Sequence, residues 1–125
     1  MSTILLSINP EHVKNIFDGV KKYEFRKVKC KKNVTKILIY STYPVMMVVG
    51  EAAVNKTLEH TPDELWEKTS RSAGIDREFF DDYFRGREKA IAYELGDVVR
   101  YEKTKSLSDL SVNAAPQSFA YIDMA

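Results

Sequence analysis

The chain has 125 residues, is 44% hydrophobic and 30% charged, and carries a net charge of +1. That length fits one compact domain over 1–125 with a core that needs no staples, and no repeat or low-complexity tract interrupts it. The single cysteine, Cys30, excludes an internal disulfide, and no Cys/His cluster offers a zinc site.

No run reaches transmembrane length and the start lacks the pattern of a secretory leader, so a reducing cytoplasm, with no membrane partner, metal or cofactor, is the expected setting. The near-neutral total hides an asymmetry. Residues 21–36 sum to +7, with Glu24 their only acid, whereas residues 59–88 sum to −4. Screening confines charge effects to about 10 Å at ordinary salt, so the basic block alone is able to attract a polyanion.

Residues 3–8 read as a short apolar strand. Asn9, Pro10 and Glu11 then open a helix, as a cap, a first-turn proline and an acid at the positive end. Val13, Ile16 and Phe17 give it an apolar face, and Gly19 ends it by taking the left-handed conformation. His12, alone in the first turn, is expected on the surface.

The next stretch, GVKKYEFRK, alternates charge with aromatics and predicts a strand over 22–28. Period-two geometry puts Tyr23 and Phe25 on one face and Lys22, Glu24 and Arg26 on the other. A basic loop follows over 29–36, in which Lys29, Lys31 and Lys32 are candidate nucleic-acid contacts. Residues 37–40 are apolar on both faces, as in an inner strand, and run out at Ser41-Thr42-Tyr43-Pro44.

Residues 46–54 form another apolar strand, broken by Gly50-Glu51, where a bulge is expected to turn Glu51 toward solvent unless a partner holds it inward. Thr61-Pro62-Asp63-Glu64 is a capping box that starts a second helix, with Leu65 and Trp66 on its apolar side. Asp76 caps a third, dense in aromatic residues; of these, Tyr83 is the one expected to face a pocket. Strands over 87–95 and 98–103 are expected to join in a hairpin at Gly96-Asp97. Lys89 enters the first of them beside Ala90 and Ala92, and a closing strand over 119–122 follows Gln117 and Ser118. The order is β-α-β-β-β-α-α-β-β-β.

Gly19, Lys21, Glu24 and Arg26 spell G-x-K-x-x-E-x-R directly after an amphipathic helix. With ILLSINPEHVKNIFDG before it, ILIYSTYP and VVGEA after it, and KAIAYELGDVVRYEK followed by APQSF, nearly the whole chain resembles the ASCH domain of the PUA-like group. The resemblance implies an α+β fold, a mixed β-barrel flanked by helices. It also implies RNA-related work, since the family includes proposed RNA binders, acetylcytidine amidohydrolases and ribonucleases.

The expected ligand set is Lys21, Lys22, Glu24, Arg26, Ser41, Glu51, Tyr83, Lys89, Gln117 and Ser118, around RNA or a nucleotide, single-stranded in preference to duplex. A binding module is the first reading: cations hold phosphate or a carbonyl edge, and Glu24 accepts from a base amino group. A ribonuclease using Lys22 and Glu24 is the alternative. Deacylation is disfavoured because glutamate stands at position 24, where the amidohydrolase pattern has its threonine nucleophile. A protein-interaction surface on 76–84 is a third class.

Overall fold

A computed structural model describes residues 1–122. The strands are β1 (Ser2–Ile8), β2 (Tyr23–Arg26), β3 (Val34–Ser41), β4 (Met47–His60), β5 (Ala90–Lys105) and β6 (Phe119–Ile122); the helices are α1 (Pro10–Phe17), α2 (Pro62–Thr69) and α3 (Arg77–Tyr83). The six strands form one mixed sheet in the order β2-β5-β4-β3-β1-β6, with β1 and β3 parallel and every other pair antiparallel.

Alternation along the inner strands feeds two cores at once. Ile4, Leu6, Ile8, Ile37 and Ile39 pack with Val13 and Ile16 of α1, whereas Leu5, Leu38, Tyr40 and Val48 pack beneath Leu107, Leu110 and Val112. This is why those strands are apolar on both faces. A third core holds Phe25 of β2 against Leu65, Phe80 and Phe84, so α2 and α3 cover the aromatic side of β2. Thr61 Oγ1 accepts from the Glu64 N–H and donates to its carboxylate, so the side-chain N-cap that the sequence spells is formed at the start of α2.

Three expectations change. The hairpin at Gly96-Asp97 is absent: β5 runs unbroken through both residues and pairs with β4 on either side of them. Register shifts between Ala52 and Lys56 absorb the mismatch, and Gly96 lies so close to the Asn55 side chain that a Cβ would sit 2.5 Å from Oδ1. The glycine marks a close approach inside a strand and no reversal. Likewise β4 continues past Val54 to His60, its polar end paired with β5 alone because the β3–β4 ladder ends at the Lys36–Ala53 pair.

The expected barrel is not closed either, since β2 and β6 share no ladder. The side chain of Arg26 reaches across the gap between these edges. Arg26 Nη2 donates to the Ser7 carbonyl of β1 at 2.9 Å, and Nη1 to the Ser118 carbonyl ahead of β6 at 3.4 Å. Guanidinium hydrogen bonds stand where strand pairing would complete a cylinder, which leaves a seam.

Candidate functional site

A cavity of about 250 Å³ opens on that seam, lined by the exit of β1, the start of α1, the β2 strand and α3. Its polar groups are Ser7, Asn9, His12, Lys21, Glu24, Arg26 and Tyr83, and Phe25, Ile75 and Phe79 supply apolar wall.

Glu24 is almost fully buried. Arg26 holds it from two atoms, Nε at 3.1 Å and Nη2 at 2.8 Å, both directed at Oε2. A buried carboxylate needs such a charge-assisted clamp, and because the clamp takes one oxygen it leaves Oε1 available to a ligand. Arg26 is thereby fixed between the carboxylate and two backbone carbonyls.

Lys21 enters from below. It is only 3% exposed, its Nζ donates to the Ala73 carbonyl at 2.9 Å, and the ammonium stands 4.9 Å from the centroid of Phe25. Burial lowers its pKa against the opposing pull of Glu24, which favours the ammonium. Gly74 makes this burial feasible. It adopts φ +71, and a Cβ there would lie 2.4 Å from Lys21 Cβ. His12 is half-buried, edge-on to Phe79, and its Nδ1 is enclosed without a hydrogen-bond partner among the described residues. Burial, and then the charge of Lys21, lower its pKa. Tyr83 donates to the Phe25 carbonyl at 3.3 Å, and burial raises its pKa.

Of the residues singled out in the sequence, the cavity gathers Lys21, Glu24, Arg26 and Tyr83. Lys22 is exposed and precedes β2, with its backbone tied to Ser72 and Leu95, so the lysine beside Glu24 is Lys21. Ser41 is buried in a separate groove with Phe17, Arg100 and Tyr101. Glu51 is occupied elsewhere, accepting from Tyr101 Oη at 2.8 Å and paired with Lys36 at 3.2 Å.

Lys89 is exposed ahead of β5. Gln117 and Ser118 are exposed as well, but their loop meets the cavity wall through backbone: the Pro116 carbonyl accepts from Ser7 Oγ, and that of Ser118 from Arg26. Sequence reasoning missed Ser7, Asn9, His12 and Phe79. The available signal was the β1–α1 junction at Asn9-Pro10, which places three polar side chains at one edge; Asn9 takes the N-cap position, but its side chain makes no cap hydrogen bond and accepts from Thr42 Oγ1.

An open, curled mixed sheet with one helix crossing it, two covering it and a charged cavity at its seam defines an α+β domain of the PUA-like class. The chain matches the family described as a domain of unknown function, DUF365, over residues 2–117. It is 32% identical over 122 residues to the ASCH domain-containing ribonuclease of Zymomonas mobilis subsp. mobilis, which covers 94% of this chain and 82% of that protein. The crystal structure of ASCH from Zymomonas mobilis aligns at 30% identity with a TM-score of 0.88, over 98% of this chain and 89% of that one. The chain belongs to the DUF365 family and to the ASCH domain family. It is also 34% identical over 121 residues to the ATP synthase subunit alpha of Ureaplasma parvum serovar 3, a match that takes in 96% of this chain but only 15% of that relative. No helix among the described residues is long and apolar enough to cross a membrane.

Proposed function

We propose that this domain is an RNA-acting enzyme that takes one nucleotide of a single strand into the seam cavity and cleaves the adjoining phosphodiester. One observation carries the reading: a carboxylate clamped through a single oxygen shares a small cavity with a buried lysine and an anchored arginine. The similarity to a protein named as an ASCH domain-containing ribonuclease supports it.

The chemistry proposed here uses the side chains that line the seam. Glu24 takes the proton of the ribose 2′-hydroxyl, whose oxygen attacks the adjacent phosphorus. Arg26 offsets the charge that develops on the phosphorane oxygens. The bond to the 5′-oxygen then breaks, and that oxygen takes a proton from the Lys21 ammonium, made more acidic by burial. The products are a 2′,3′-cyclic phosphate and a 5′-hydroxyl. Phe79, 48% exposed at the rim, offers a face on which a splayed base stacks.

The test is cleavage of a labelled single-stranded RNA by the wild type and by Glu24→Gln. Gln keeps the shape and one carbonyl acceptor but is no base, so turnover drops by about two to four orders of magnitude while binding persists. A substrate with a 2′-deoxy sugar at the scissile position resists cleavage. Equal cleavage by both proteins refutes the mechanism; wild-type binding without cleavage reduces the site to a nucleotide-binding module.

A further inference from the structure

A second cavity, of about 440 Å³, lies beyond β2 and has no part in the chemistry above. Residues 29–33 of the loop after β2, with Val34 at the start of β3, form one side of it; Asn55, Lys56 and Thr57 of β4 and Tyr93 of β5 form the other. Four of these ten residues are lysines and none is an acid. Among the described residues, Lys29 alone of the four has a carboxylate within ion-pair reach, Glu59 at 3.4 Å, and both of those side chains are substantially exposed. The loop is not a loose basic tail. Cys30 is buried with its Sγ 3.1 Å from Tyr93 Oη, and the Lys32 backbone N–H donates to Tyr121 Oη at 3.2 Å. Both anchors hold the lysines over the polar end of β4.

Two further contacts tie this cavity to the seam. Tyr93 lies directly opposite Glu24 in the β2–β5 ladder, so their side chains leave the same face of neighbouring strands, about 5 Å apart in backbone spacing. Lys27 Nζ, one residue past β2, stands 4.7 Å from the ring of Tyr83, which lines the seam. On the far side, Tyr121 is 38% exposed, with Lys32 Nζ 4.6 Å from its ring, the combination of cation and aromatic face that takes a stacked base.

We infer that this second cavity is a phosphodiester subsite for the strand whose reactive nucleotide occupies the seam. Lys31, Lys32 and Lys56 neutralise backbone phosphates, Asn33, Asn55 and Thr57 reach ribose or base edges, and Tyr121 stacks the distal base. The inference rests on the seam being the nucleotide site and adds to it a length requirement. A dinucleotide fills the seam alone, and a longer strand engages both cavities.

The experiment uses 2′-O-methyl oligouridylates, which cannot be cleaved by the route above, as a dinucleotide and an octamer. Wild-type protein is compared with the triple variant Lys31→Ser, Lys32→Ser, Lys56→Ser. The octamer is expected to bind wild type at least about tenfold tighter than the dinucleotide, with a log–log salt slope steeper by about 2, from roughly 0.7 per phosphate over three phosphates. The triple variant is expected to lose that gain and that extra slope while keeping dinucleotide affinity, and backbone amides of Asn55 and Thr57 are expected to shift with the octamer only. A variant that retains the octamer preference, or a wild type without one, overturns the second subsite. Dinucleotide binding that survives Arg26→Ala overturns the seam reading instead, and no octamer binding at all overturns both.

Discussion

Replacing Gly74 by alanine tests whether the buried lysine depends on a glycine far along the chain. At φ +71 an L-residue carries a backbone cost of about 1–2 kcal/mol. The added Cβ would meet Lys21 Cβ at 2.4 Å, Cγ at 2.7 Å and Cα at 2.9 Å. The last contact is to backbone, held by the Lys21 N–H bond to the Asn15 carbonyl, so it does not yield to a simple rotamer change. Overpacking of this kind costs about 1–3 kcal/mol, for a total of about 2–5 kcal/mol.

Gly19 is the internal control: its φ is +81, but nothing lies within 4 Å of its would-be Cβ, so Gly19→Ala carries the backbone cost alone. At roughly 4 °C per kcal/mol for a domain of this size, Gly74→Ala should melt about 4–12 °C below Gly19→Ala. Thermal unfolding by circular dichroism measures both. Displacement of Lys21 should also remove RNA cleavage from the Gly74 variant and leave it in the Gly19 variant. Coincident melting curves would refute the account of how Lys21 is seated.

Phe25→Ala empties the junction of β2 with Phe80 and Phe84 and should cost about 3–5 kcal/mol in chemical denaturation, with the m-value unchanged. Two acid transitions are expected. His12, held below its ordinary 6.5 by burial and then Lys21, binds fewer protons folded than unfolded, so stability falls as pH drops from 6.5 through the folded value; His12→Gln should flatten that limb. Burial acts to raise the pKa of Glu51, but hydrogen bonds from Tyr101 and Lys36 outweigh it and hold the group below 4.5, so a second loss begins under that pH and is weakened in Tyr101→Phe. Incubation with acetylcytidine, followed by chromatography, should show no deacylation, since Glu24 bound to Arg26 offers no alkoxide-type nucleophile.

Signals spanning a few residues were legible because their physics is local. The Thr61–Glu64 cap, the glycine closing α1 and the two-faced apolar run of β3 all appear as the sequence indicates. So does the alternation in β2, which sends Phe25 into the aromatic core and Glu24 and Arg26 to the seam. What that alternation does not say is which lysine joins them. Lys22 continues the period, but the strand begins one residue later, and Lys21 is chosen by a carbonyl 52 residues away and by a glycine that leaves room for its stem.

Gly96-Asp97 carries the local chemistry of a turn, yet pairing along β4 on both sides keeps the chain extended there. The lysines after β2 read as a basic loop with candidate nucleic-acid contacts at Lys29, Lys31 and Lys32. Only the fold sets them against Asn55, Lys56 and Thr57, and only the approach of two unpaired sheet edges gives Arg26 its three roles at once. Turn, cap and strand preferences are decided within a few residues. The site depends on strand order and close approach between distant segments, which no short window of sequence contains.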